Sequence, residues 1–138
     1  MKEQFVTYEI ALALKELGFD EKCIGHFYKD KTFAITAITS SNRYDFFKNS
    51  NIKHTIFEMK IVCVAPLWQQ AIDWFRENYN MDIYVNNKFN HLPKKWLGII
   101  SIVDEYYKEY NTEKYFNNFY DAREQAILKA IELCEKKK

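Results

Sequence analysis

The segment from Pro66 to Tyr79, Pro-Leu-Trp-Gln-Gln-Ala-Ile-Asp-Trp-Phe-Arg-Glu-Asn-Tyr, constrains this chain more than any other and holds two of its three tryptophans. At 3.6 residues per turn Trp68, Ala71, Ile72, Phe75 and Tyr79 share one face, while Gln69, Asp73, Arg76 and Glu77 share the other. Leu67 and Trp74 lie at the margin. Pro66 suits a first helical turn, where its missing N–H leaves nothing unpaired. A helix with so wide an apolar stripe must bury it, which places it centrally against an antiparallel sheet and leaves only Trp74 to contact something outside.

Composition agrees with a packed core. Eleven Phe, ten Tyr and three Trp give an aromatic fraction of 17% in 138 residues, so the interior or an interface is built from large flat groups. Three Gly and two Pro leave little room for glycine-rich phosphate loops or for many tight turns. Twenty Lys+Arg against 19 Asp+Glu provide no global field toward nucleic acid or anionic lipid. Cys23, Cys63 and Cys134 are far apart, and no C-x-x-C occurs. They read as reduced, mostly buried thiols in a cytoplasm rather than as a disulfide framework or zinc site. The first residues lack the apolar run of a signal peptide, and no apolar stretch approaches the ~20 residues of a membrane span.

Local signals place the remaining elements. Thr7 is the N-cap of a helix from Tyr8 to about Leu17, with Ile10, Ala13, Leu14 and Leu17 inward and Tyr8 and Leu12 on the opposite side. Gly18 fits the left-handed position after that helix, and Phe19 the hydrophobic contact that follows. Ile24–Tyr28 and Thr32–Ile38 flank a polar turn and form a hairpin. Residues 40–55 read as a loop, Ile56–Val64 as a third strand, and Asp82–Val85 and Trp96–Val103 as two more. The mixed run from Asp104 to Asn117 receives no assignment. Asn118 caps a last helix from Phe119 to about Glu135, whose apolar face is Ala122, Ala126, Ile127, Ala130, Ile131 and Cys134. The expected fold is therefore α+β: one domain over 1–138, with about three helices and a mostly antiparallel sheet of four to five strands, in the order α-β-β-β-α-β-β-α.

No arrangement of reactive groups points to catalysis. His26, His54 and His91 are scattered without ligand spacing, and no phosphate-loop, dinucleotide, nucleophile-elbow or zincin pattern occurs, so no cofactor or metal is expected. Cys23, ahead of the hairpin, is the thiol expected to be most exposed. The neighbouring carboxylates Asp20-Glu21 and Asp104-Glu105 point to opposite faces of any strand and read as solvated.

Three features point to binding. Lys88, Lys94, Lys95 and Trp96, with Phe89 and His91, interleave cations and rings as single-stranded nucleic acid requires. Tyr106, Tyr107 and Tyr110, followed by Tyr115, Phe116, Phe119 and Tyr120, have the ring density of a protein interface. Trp74 sits at the edge of its helix, Leu128 lies among Glu124, Glu132 and Glu135, and Tyr8 and Leu12 pair on the outer side of theirs, while Arg123 is a charge inside an apolar arc.

Two blocks near the N-terminus and middle, Phe5–Asp20 (FVTYEIALALKELGFD) and Ala65–Gln70 (APLWQQ), together with Tyr120–Leu133 (YDAREQAILKAIEL), resemble a family of small uncharacterised proteins encoded by phages and prophages of Bacteroidetes. The resemblance covers both ends and the middle helix. It implies a phage or prophage product in a bacterial cytoplasm and carries no activity with it. The leading expectation is thus a non-enzymatic protein that binds another protein or itself. The second is a nucleic-acid-binding accessory protein that uses the basic, aromatic loop.

Overall fold

The computed structural model describes residues 2–35, 47–52, 55–56, 59–87, 95–104 and 106–137. The chain divides into two compact units, Met1–Ala71 and Ile72–Lys138, and the boundary falls within a continuous helix.

The first unit opens with a 3-10 turn at Lys2–Gln4 and helix α1, Tyr8–Glu16. Thr7 caps α1 as expected, its side chain accepting a hydrogen bond from the Ile10 N–H at 3.4 Å. At the other end Gly18 takes φ 101, Gly18 N–H reaches Lys15 C=O, and Phe19 N–H reaches Leu14 C=O. This paired closure needs a left-handed residue at Gly18 and brings Phe19 back onto the core, where it is buried. Strands β1 (Gly25–Tyr28) and β2 (Phe33–Ile35) form the expected hairpin, turning through Lys31 at φ 70, with Asp30 Oδ1 accepting from Thr32 N–H.

Residues 56–64 do not make one strand. They divide between β3 (Thr55–Ile56) and β4 (Met59–Ala65), which pair antiparallel through Thr55↔Lys60 and Ile56↔Met59. The sheet order is β2-β1-β4-β3. Its core contains Phe27, Cys63, Ile10, Leu14 and Phe19, with Phe27 meeting the rings of Phe33 and Tyr8. The inner face of α1 includes Ala11, and Ala13 is only half-buried.

Pro66 is not the first helical residue. The helix α2 spans Trp68–Tyr79, and Leu67 C=O accepts its first turn's bond from Ala71 N–H, so Pro66 precedes the cap. Its carbonyl instead accepts from Val6 N–H, and Phe5 pairs with Leu67 in an isolated bridge. A residue without an N–H is well placed beside a chain that needs only its carbonyl.

The second unit follows at once. Asn80, left-handed at φ 54, turns α2 into β5 (Met81–Asn87). Strand β6 (Trp96–Ile102) pairs along all of β5, and β7 (Lys108–Asn111) lies on its far side, giving the order β5-β6-β7. Helix α3, Phe119–Glu135, packs on β5 and β6 through Ala122, Ala126, Ile127, Ala130, Ile131 and Cys134. Small residues line the contact because Gly98 on β6 lies directly beneath Ala122 and Ala126. Asn118 caps α3 as expected, accepting from Asp121 N–H at 2.8 Å and donating to the Asp121 carboxylate at 2.8 Å.

The α+β class and the three helices stand. The single sheet of four to five strands and the proposed order do not: among the described residues seven strands form two sheets, in the order α-β-β-β-β-α-β-β-β-α. The added strands are the two-residue β3, too short to show a period, and β7, an edge strand on which only Tyr110 is even half-buried.

Candidate functional site

The second unit gathers aromatic side chains at one end of β6. Trp96 and Phe116 exchange two backbone hydrogen bonds, at 2.9 and 2.8 Å, which bring residues 115–118 against the start of the strand. Lys95 donates to Asn117 Oδ1 at 2.6 Å on the same side. The chain then enters α3, and its first residue, Phe119, meets Trp96 edge to face at 5.7 Å. Tyr120 meets Phe119 edge to face at 5.8 Å.

Arg123 completes the cluster. Its guanidinium lies 5.5 Å from the Phe119 ring centre and 5.4 Å from that of Tyr120. Helical geometry brings these three together, because positions three and four apart share one face. The charge that looked misplaced in an apolar arc is therefore held against two π faces, a placement suited to a planar cation. Burial lowers its pKa somewhat, and Tyr120 acts in the opposite direction; an arginine remains charged nonetheless. Tyr120 is 67% exposed, Tyr115 and Phe119 are exposed as well, and Trp96 is half-buried.

The tyrosine run is thus divided. Tyr115 and Tyr120 flank the Trp96 end of β6, whereas Tyr106 and Tyr107 sit where β6 has ended at Ile102 and β7 begins. They are 72% and 64% exposed. Tyr107 forms a hydrogen-bonded chain, with Ser101 Oγ at 3.2 Å and Glu109 at 3.1 Å from its hydroxyl, and Tyr106 N–H closes a turn onto Asp104. Tyr110 is half-buried on β7.

Other expected contact residues fare differently. Trp74 is 5% exposed, folded along its own helix against Phe75 and Tyr79 at 5.3 and 5.5 Å, so it is a core residue and not an outward contact. Tyr8 and Leu12 are half-buried; the edge-to-face contact with Phe27 and the Lys31 ammonium at 5.3 Å cover Tyr8 from within the chain. Leu128 is exposed, in a shallow groove of about 240 Å³ that Asn111, Thr112, Glu113, Gln125, Lys129 and Glu132 also line. Lys129 and Lys136 both reach Glu132 there, at 3.5 and 2.9 Å. Of the basic loop, Lys88 and Lys94 lie outside the described residues, as do Phe89, His54 and His91, while Lys95 and Trp96 join the aromatic cluster.

The three cysteines are buried and poorly placed to act as nucleophiles. Cys23, expected to be the most exposed thiol, is buried near Gln70, and burial pushes its pKa up to about 12. Burial also raises Cys63 to about 11, and Cys134 is buried beside the Met81 sulfur. Cys23 and Cys63 are therefore thiols, not thiolates, at neutral pH. Among the described residues no three His, Cys, Asp or Glu side chains converge as a metal site requires, and no helix is long and apolar enough to cross a membrane.

Trp96 and the Tyr-rich run are separate features of the sequence, and Phe119 and Arg123 join them in space. The available signal was the three- and four-residue spacing of Phe119, Tyr120 and Arg123 within a helix whose cap was already placed. Compared with protein families, with curated proteins and with solved structures, the chain matches none.

Proposed function

We propose that this chain is a non-enzymatic binding module whose second unit offers the Trp96, Phe119, Tyr120 and Arg123 cluster to a protein partner, with a second copy of the chain as one such partner. The observation that carries this reading is the cluster itself. Aromatic rings and an arginine are the side chains that dominate binding energy at protein interfaces. Here they are ordered by ring contacts and a cap before any partner arrives, which limits the entropy lost on docking. The resemblance to phage and prophage proteins is the reason to seek that partner in a bacterial cytoplasm.

Bases could stack on the same rings, but two features favour protein. Lys95, the described cation of the basic loop, is engaged by Asn117, and the Arg123 guanidinium lies against the Phe119 and Tyr120 rings. Light scattering of the purified chain, then binding to a partner isolated with it, tests the proposal. Tyr120→Ala and Arg123→Gln should each weaken association by about 2 kcal/mol or more if they are central to the interface. Unchanged association in both variants refutes it. Binding to single-stranded oligonucleotides that weakens with salt supports the nucleic-acid reading instead.

A further inference from the structure

The first unit contains a buried histidine that the proposed binding face does not use. His26 lies in the middle of β1, paired with Ala34 on one side and Val64 on the other, and is 2% exposed. Its imidazole is enclosed by rings, edge to face with Tyr28 at 5.1 Å and with Phe47 at 5.4 Å. Nε2 lies 3.3 Å from the Tyr28 hydroxyl, and Nδ1 is buried with no hydrogen-bond partner among the described residues.

A neutral imidazole carries one N–H. With Nε2–H donating to Tyr28, Nδ1 needs only to leave a lone pair unmet. Protonation turns that lone pair into an N–H with nothing among the described residues to receive it and places a charge between two rings, which drives the imidazole toward water.

Phe47 forms one wall of this enclosure, and its segment is held to the sheet by a small set of bonds. Cys23 and Phe47 exchange two backbone hydrogen bonds, Asn49 donates to Phe19 C=O, and Asn49 also accepts from Val64 N–H. Among the described residues, the ionisable groups on the surrounding elements offer no counter-charge to an imidazolium. On β1 there is the Tyr28 phenol, on the Phe47 segment Lys48, and on β4 Lys60, while described β2 carries none. Asp20 is taken up by Ser50 and Lys48, and Glu21 acts on Cys23.

We propose that His26 is an acid-operated latch: its protonation drives the ring out from beneath Phe47 and releases residues 47–51 from the sheet of the first unit. The sign follows from linkage. A base whose folded form resists protonation contributes stability in full above its unfolded value of ~6.5, and loses it as pH falls toward the lower folded value. Burial lowers the His26 pKa, so the latch weakens by about tenfold for each pH unit within that window.

Hydrogen exchange of the intact chain at pH 7.5 and pH 5.0, corrected for intrinsic rates, tests this together with an imidazole nitrogen NMR titration. Protection at the Cys23, Phe47 and Val64 amides should fall at pH 5.0, while the β5 and β6 amides keep theirs. His26→Phe should remove the difference. His26 should show the Nε2–H form at neutral pH and should not titrate with the latch closed near 6.5. A His26 that titrates at or above 6.5 with those amides still protected overturns the proposal, as does an equal loss of protection in His26→Phe. If His26→Phe does not fold, the tautomer and titration of the native chain decide alone.

Discussion

Gly98→Ala tests the packing that holds the aromatic cluster in place. A Cβ at this position would stand 2.7 Å from Ala126 Cβ, 2.7 Å from Thr112 Cγ2 and 2.8 Å from Ala122 C=O. Two of these three atoms belong to, or move with, the backbone of α3, so no rotamer change can make room. The helix must lift from β6 by most of an ångström, or the strand must bend. Either response loosens the layer of Ala122, Ala126, Ile127, Ala130 and Ile131 on the sheet. Overpacking of this kind costs about 1–3 kcal/mol, and the backbone contact places this case near the upper end. In urea, where small proteins show slopes of about 1–3 kcal/mol/M, the midpoint should fall by about 1 M without a change of slope. Gly18→Ala is the internal control: nothing lies within 4 Å of its Cβ, and the left-handed backbone alone should cost about 1–2 kcal/mol. Because Phe119 and Arg123 ride on the same helix, Gly98→Ala should also alter Trp96 fluorescence. A neutral or stabilising Gly98→Ala refutes the close approach of α3 to β6.

Three further expectations are simpler. Thr7→Ala removes the cap of α1 and should destabilise the first unit by about 1 kcal/mol, read by urea unfolding; no loss would mean the Ile10 N–H finds water equally well. Hydrogen bonding by Ser50 holds the Asp20 carboxyl below its ordinary range, so its contribution is complete above the unfolded value of ~4 and fades as pH falls through the lower folded value; Asp20→Asn should flatten the acid limb of stability there, and an unchanged limb would refute the link. Ellman's reagent at pH 8 should label none of the three cysteines quickly in the folded chain and all of them in denaturant; rapid labelling of Cys23 would contradict its burial and its pKa of about 12.

The parts of the fold that the sequence revealed are those governed by local chemistry. Thr7 and Asn118 cap with their side chains, Gly18 takes the left-handed backbone that the lack of one allows, and α1 and α3 begin or end at them. The β1–β2 hairpin follows from a polar turn between apolar runs. What escaped depends on neighbours that periodicity does not name. β7 is polar because it is an edge strand, so it shows no alternation. The division into two sheets reflects which strands pair, a long-range choice. Trp74 lies on the margin of a helical wheel yet is buried, with its indole edge to face with Phe75 and Tyr79. The candidate site was half legible: its rings were visible as a run, but Arg123 read as an error until Phe119 and Tyr120 were placed beneath it.

The most direct test of the binding account is photo-crosslinking in the cell that makes the protein, with p-benzoylphenylalanine placed at position 120 or, as a control, at the exposed Lys29 of the first unit. The account predicts one discrete adduct from position 120, with another protein or with a second copy of the chain, and none of that size from position 29. No adduct from position 120, the same spread of products from both positions, or an adduct removed by nuclease would contradict it.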